Sequence, residues 1–299
     1  MVRSPDLVIV GQATIDDIFR EEDNTSFLEL PGRDVVYSAI EASVWPLDLG
    51  VVTIVGKDYP YQKLDQTTCS KNRTDWSGVK IYNGASIHDK GIYHIDGSRE
   101  YKFDQPELVF DLSPTANVIP EHMCAADHVY IAPAKTISQL DVLQYYKSKS
   151  AVVSLDVEIH FIKQDLASLE KSLALDPIFI PSLEHVQILS RVNSKNINDH
   201  WDWIKMSGVS VMVIKCGSDG AVIVESKKKK FTHIGVVGNL EIDDVTGAGD
   251  AFCGGFMAGF YIEGDLIKAC AYGAVSSSFI VESIGAIKPH TYSDKKAES

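Results

Sequence analysis

Short apolar runs, several of them rich in β-branched residues, recur along the chain at 7–10, 51–55, 128–131, 151–155, 178–180 and 210–214, separated by longer stretches of mixed polarity. Several runs are apolar at successive rather than alternate positions, so both faces of the strand are destined for burial. That is the pattern of parallel strands covered by helices on both sides. The expected architecture is α/β: a doubly wound, mostly parallel sheet flanked by helices, with ligands at the carboxyl ends of the strands. Asp156, directly after the run ending at Leu155, is placed equally well to touch a ligand or simply to end a strand. The interval 79–104 departs from the pattern. Asn83-Gly84 and Asp96-Gly97 are turn signals flanked by Ile, Tyr and Phe, which predicts hairpins. The chain is therefore read as a single domain over 1–299 with a small β unit inserted at about 79–104.

Composition narrows the class. A chain of 299 residues that is 45% hydrophobic can bury the core of one large domain. A net charge of −13 argues against a general affinity for nucleic acid or an anionic membrane, so an anionic ligand would need a local basic site. Lys227 to Lys230 reads as a solvated hairpin turn between strands rather than a nucleic-acid patch. The five cysteines, Cys69, Cys124, Cys216, Cys253 and Cys270, are scattered without C-x-x-C spacing, which suggests reduced thiols in a cytoplasm and no zinc site. No signal-peptide core precedes the first run, and the apolar stretch 251–262 is too short to span a bilayer.

The candidate chemistry lies at 243–260, DDVTGAGDAFCGGFMAGF. Gly247 and Gly249 around Ala248 allow a turn that bares successive N–H groups to an anion. From Asp250 the period becomes helical: Phe252, Phe256 and Phe260 recur every four residues, beside a parallel row of Ala251, Gly255 and Gly259. A helix opening behind such a turn offers unpaired amides and the positive end of its dipole, which suit phosphate. Asp250 sits in the first turn, where its most useful role beside a phosphate is to take a proton. As a bare pattern, a glycine turn before a helix is also a common connector, and a first-turn Asp often only complements the dipole.

The run 244–255 resembles the signature of the ribokinase-like (PfkB) family of carbohydrate kinases, D-T-x-G-A-G-D-x-F-x-x-G, with Val245 where Thr is common. The resemblance extends to LVIVGQATIDDI at 7–18 as an opening strand with Gly11 and Asp16, to VVTIVGKD at 51–58, to VMVIKCGSDGAVIV at 211–224, and to SIGA at 283–286. It departs from the family in two places. PGRDVVYSA carries one Gly, Gly32, where the family has a pair, and PSLEHV has Ser182 and His185 in place of N-x-x-E.

The resemblance implies a ribokinase-like fold in which 79–104 is a β lid, and an ATP-dependent kinase that phosphorylates a hydroxyl of a sugar or sugar-like small molecule. Asp250 would be the base, with the Gly247, Ala248 and Gly249 amides stabilising the transferring phosphoryl group. Asp16, Gly32, Arg33 and Asp34 would hold the acceptor; Lys215, Gly217, Gly220, Gly249 and Gly285 would flank the nucleotide. Magnesium would bridge the phosphates, with Glu184 able to compensate for the altered N-x-x-E, and Asp244 with Thr246 would coordinate a monovalent cation such as potassium. Within the lid, Arg99 and Lys102 are the cations nearest an anionic acceptor. A lid edge would permit a homodimer. Two other readings stay open: a nucleoside kinase of the same family, with Tyr37 or Tyr93 as an aromatic clamp, and a ligand-binding or regulatory relative that has lost turnover. The shared turn leaves ADP open as donor.

Overall fold

The apolar runs become the strands they predict. The computed structural model describes residues 3–64, 73–96, 98–238 and 240–286, so Cys69 and Gly97 lie outside the described residues. The strands are β1 (Leu7–Val10), β2 (Thr14–Arg20), β3 (Thr25–Gly32), β4 (Leu49–Val55), β5 (Thr74–Ile81), β6 (Ile87–Tyr93), β7 (Arg99–Phe103), β8 (His128–Ile131), β9 (Val152–Leu155), β10 (Ile178–Phe179), β11 (Val211–Lys215), β12 (Ala221–Glu225) and β13 (Lys230–Ile234). Nine of them form one sheet in the order β13-β12-β11-β10-β9-β8-β1-β4-β5. It is parallel from β5 to β11 and closes with the antiparallel pairs β11–β12 and β12–β13. Alternate side chains feed two cores. Leu7 and Ile9 pack with the helices Asp34–Ala42, Ala248–Glu263 and Leu266–Ile280, while Val8 and Val10 pack with Thr136–Lys147, Leu166–Leu173 and their neighbours.

Two expectations change. The segment 7–18, read as one opening strand, breaks at Gly11–Ala13: β1 ends in the large sheet and β2 begins in a second, four-stranded sheet of order β3-β2-β6-β7. The interval 79–104 supplies only β6 and β7 of that sheet, and Asn83-Gly84 is a crossing from β5 of the large sheet to β6, not a hairpin turn. The pairing β2–β6 is parallel and joins segments some seventy residues apart, so no local turn signal announces it.

The Ala248–Glu263 helix follows its sequence pattern. Phe252, Phe256 and Phe260 stack with centroids 6.3 and 6.1 Å apart. The small-residue row admits the last helix so closely that a Cβ on Gly255 would lie 2.3 Å from Ser276 Oγ, and one on Gly259 2.6 Å from Tyr272 Cβ. On the adjoining face, a Cβ on Gly254 would lie 2.1 Å from the Ser38 carbonyl oxygen of Asp34–Ala42. These approaches set the head of the helix against the carboxyl ends of the central strands.

Candidate active site

Gly247, at φ 76°, caps the helix in the left-handed region, and a side chain there would strike the Tyr37 ring at 2.1 Å. The Ala248 amide donates back to Val245 O at 3.2 Å, and the Ala251 amide donates to Gly247 O at 2.8 Å. The Gly249 and Asp250 amides lie between them in the first turn, where a helix has no carbonyl to offer. Ser277 Oγ donates to Ala248 O at 2.7 Å and Ser38 Oγ to Asp250 O at 2.9 Å, so neighbouring helices fix this backbone from both sides. The Asp250 carboxyl keeps a partly exposed face but is otherwise enclosed. That burial pushes it up to about 7, with Lys215 opposing and Asp156 and Glu158 reinforcing.

A cluster of carboxyls adjoins it. Asp16 of β2 takes a hydrogen bond from Thr14 Oγ1 at 2.5 Å and sits in register beside Asp89 of β6. Burial pushes Asp16 up to about 7 and Asp89 up to about 6. Gly32 is required by this packing, because a Cβ there would fall 1.8 Å from Asp16 Oδ2. Burial, and then the nearby Asp250, also raise Asp34 well above the usual carboxylate range. Arg33 is the cation among them. Its Nη2 donates to Glu158 Oε2 at 2.7 Å, its Nε lies 3.4 Å from Asp34 Oδ2, and its guanidinium covers the Phe103 ring at 5.3 Å. Glu158, only partly buried, is held below its ordinary range by His160, 3.0 Å away, and by Arg33.

On the other side of Asp250 lies a cavity of about 570 Å³, within the range of small-molecule sites. Val236, Leu240, Ile242, Phe252 and Val281 give it apolar walls, while Lys215, Gly217, Gly220 and Gly249 line its polar end. Lys215 at the carboxyl end of β11 is bonded to Asp156 at the end of β9 and to Cys253 Sγ at 3.5 Å. Burial opposes its charge, but Asp156 more than compensates and holds the amine protonated well above its ordinary value. Its Nζ lies 3.6 Å from where a Gly249 Cβ would be, so a fixed positive charge stands beside the helix head.

The structure thus sets Asp250, Asp34, Arg33 and Asp16 in one group of interacting charges and Lys215, Gly217, Gly220 and Gly249 along the cavity. It does not bring Gly285 to the cavity wall, for Gly285 packs against Leu30 of β3. Ser182 and His185, which replace the N-x-x-E residues, form a capping box on the helix Leu183–Ser190, with His185 N donating to Ser182 Oγ at 3.1 Å; Glu184 is exposed in its first turn. No cluster of three or more metal-ligating His, Cys, Asp or Glu side chains occurs among the described residues. Neither proposed clamp presents a free ring: Tyr37 is buried beneath Gly247, and Arg99 covers Tyr93 at 4.7 Å. Lys228 and Lys230 bond to Glu225, as a hairpin turn should. Glu158 and Asp89 were missed from sequence. Asp156, read from sequence as either a ligand contact or a strand end, holds Lys215.

Residues 92–291 match the family model described as pfkB family carbohydrate kinase. The chain is 28% identical over 269 residues to a cytidine kinase of Thermococcus kodakarensis, spanning 89% of this chain and 91% of that one. Among solved structures, Arabidopsis thaliana ribokinase complexed with ribose and ATP aligns with a TM-score of 0.76 at 17% identity, over 99% of this chain and 98% of that one. Aminoimidazole riboside kinase from Salmonella enterica, complexed with aminoimidazole riboside and an ATP analogue, aligns with a TM-score of 0.77 at 18% identity, over 98% and 99%. The chain belongs to the pfkB family of carbohydrate kinases, and it is a phosphotransferase with a hydroxyl group as acceptor. Its mostly parallel nine-stranded sheet flanked by helices is the ribokinase-like fold.

Proposed function

We propose that Asp250 takes the proton of the acceptor hydroxyl while the Gly249 and Asp250 amides, with Lys215 beside them, stabilise the transferring phosphoryl group. The enzyme is an ATP-dependent kinase of sugars or nucleosides. One observation supports the assignment of roles: Asp250 heads the helix whose Gly249 and Phe252 line the apolar cavity, and it interacts electrostatically with Asp34 and Arg33 of the carboxyl cluster. Asp16, Gly32, Arg33 and Asp34 would hold the acceptor. The adenine would occupy the apolar end of the cavity, with Gly217 and Gly220 bordering the phosphates. Magnesium would arrive with ATP, which suits an ion that keeps several waters and few protein ligands; Glu184 is the carboxylate the sequence offers to it.

Among acceptors we favour an uncharged ribosyl compound, and a nucleoside first. The carboxyls of Asp16, Asp34, Asp89 and Glu158 face a single guanidinium, which suits hydroxyls and repels anions. The cytidine kinase of Thermococcus kodakarensis, matched over most of its length, supports the nucleoside. A coupled assay with ATP and a panel of cytidine, uridine, adenosine, ribose and fructose tests this. Turnover confined to free sugars would overturn the nucleoside preference, and turnover of none would favour a ligand-binding relative.

The small sheet would act as a lid that closes the acceptor pocket to water. Its edge strands β3 and β7 could pair two copies, and light scattering at micromolar concentration would distinguish dimer from monomer. No helix among the described residues is long and apolar enough to cross a membrane. Unpaired cysteines and the acidic charge fit a cytoplasmic enzyme that binds no nucleic acid.

A further inference from the structure

Asp244 is buried, its side chain 1% exposed, and both its oxygens are occupied. Oδ1 accepts from Arg99 Nη1 at 2.8 Å and from the Thr246 amide at 2.9 Å, while Oδ2 accepts from the Tyr93 hydroxyl at 2.7 Å. Thr246 Oγ1 lies 2.8 Å from the Tyr101 hydroxyl, 2.9 Å from that of Tyr93 and 3.1 Å from Arg99 Nη1. The three partners come from one hairpin: Tyr93 of β6 is registered opposite Arg99 of β7, and Tyr101 follows two residues later on the same face. A hard cation would need these oxygen lone pairs, and it would be brought up against a fixed guanidinium of like charge. The Asp244 and Thr246 side chains, as arranged, do not fit the monovalent cation that the family resemblance implies for them.

We propose that Arg99 is a positioning residue that supplies, from the small sheet, the positive charge for which relatives recruit a monovalent cation at this pair. The proposal rests on the kinase reading above and adds to it a residue and a salt requirement. The link to chemistry runs through the backbone. Asp244 Oδ1 holds the Thr246 amide, Val245 O holds the Ala248 amide, and Gly247 then opens the helix whose first amides face the cleft. The Asp243 and Asp244 amides are anchored on Val281 O at 2.8 and 3.2 Å, so the last helix fixes the segment at one end. Arg99 completes the restraint from the small sheet, and Arg20 of β2 adds a solvent-facing bond to Asp243 at 3.2 Å. Removing Arg99 would leave a buried carboxylate uncompensated, a vacancy that potassium could then fill.

The test compares potassium chloride with tetramethylammonium chloride at equal ionic strength, in turnover and in melting temperature. The unmodified enzyme should turn over at rates within about twofold in the two salts and melt at the same temperature. Strong activation by potassium, or a potassium-specific rise in melting temperature, would overturn the proposal, and this arm needs no variant to fold. Arg99→Gln should turn over about tenfold or more slowly in tetramethylammonium, with potassium restoring part of the rate and raising the melting temperature. A variant as fast as the parent in tetramethylammonium overturns the proposal, as does one that is slow and unresponsive to potassium in both readouts. Arg99→Lys keeps a charge on the stem and should stay closer to the parent than Arg99→Gln in its indifference to potassium; the reverse order counts against charge substitution. Melting is read without acceptor, so failure of every acceptor to react would defeat the kinase reading while leaving this comparison decisive.

Discussion

At the scale of single residues, Asp250 bears the most specific expectations. A hydroxyl is a poor nucleophile at neutral pH, and a positioned base contributes roughly 10²–10⁴ in rate. Asp250→Asn should lower kcat by about that factor, with ATP affinity by calorimetry nearly unchanged because the amide and Lys215 contacts remain. Enclosure pushes the Asp250 carboxyl up to about 7, so kcat should fall as pH drops below that value and level off above it. A profile flat across that region would remove Asp250 ionisation from the rate. The same shift has a sign in stability. A carboxyl raised from 3.8 to about 7 on folding binds its proton more tightly in the folded state, so the stability it lends is complete below its unfolded pKa and is lost as pH rises through the folded one. Asp250→Asn should therefore melt a few degrees above the parent at pH ~8, with the gap narrowing toward pH ~5. On the proposed reading Asp16 would lie at the acceptor end: Asp16→Ala should raise the acceptor KM far more than the ATP KM. Movement of the ATP KM alone would mean that the two ends of the cleft have been exchanged.

At the scale of elements, the loop from β3 into Asp34–Ala42 shows how a sequence departure is absorbed. Arg33 occupies the place of the family's second glycine and takes φ 69°, ψ 175°, a region that side chains avoid at a cost of about 1–3 kcal/mol. Its side chain, 7% exposed, is the one cation set among Asp34, Glu158, Asp16 and Asp89. Arg33→Gly would release the strain but strip four partly buried carboxyls of the cation they share, and the second effect should win. The expected result is a lower melting temperature at pH ~8 together with a raised acceptor KM; a variant more stable than the parent would mean that strain outweighs charge. The short apolar runs and the glycine signature made the large sheet and the helix head legible from sequence, since each is specified within a few residues. The second sheet was not: β2 continues the β-forming pattern of β1 through Gly11, and its partner β6 is remote in the chain. Asp89 enters the pocket only through that register, and Glu158 only through Arg33, so neither carried a local signal.

At the scale of the whole molecule, the acidic net charge also bears on the choice of acceptor. The chain carries −13, and among the described residues the positive charge set at the site is that of Lys215, bound to Asp156, and Arg33, bound to Glu158. On the proposed reading the nucleotide phosphates would meet the helix head, the glycine turns and Lys215. The proposed acceptor site has no comparable surplus, because Arg33 is outnumbered by the carboxyls around it. A phosphorylated acceptor would bring about two more negative charges into a partly desolvated site, where a repulsion of even a few kcal/mol amounts to about a hundredfold or more in kcat/KM. A nucleoside or free sugar should therefore be preferred over its own 5-phosphate by at least about that factor. The preference should largely survive at about 0.5 M salt, because screening acts mainly on exposed charges and these carboxyls are partly buried. Competition between a neutral acceptor and its phosphate ester, followed by phosphorus NMR of the products, measures the ratio directly. Equal use of the two, or a preference that vanishes with salt, would place the acceptor outside the carboxyl-lined pocket and require Arg33 to be reread as a phosphate ligand.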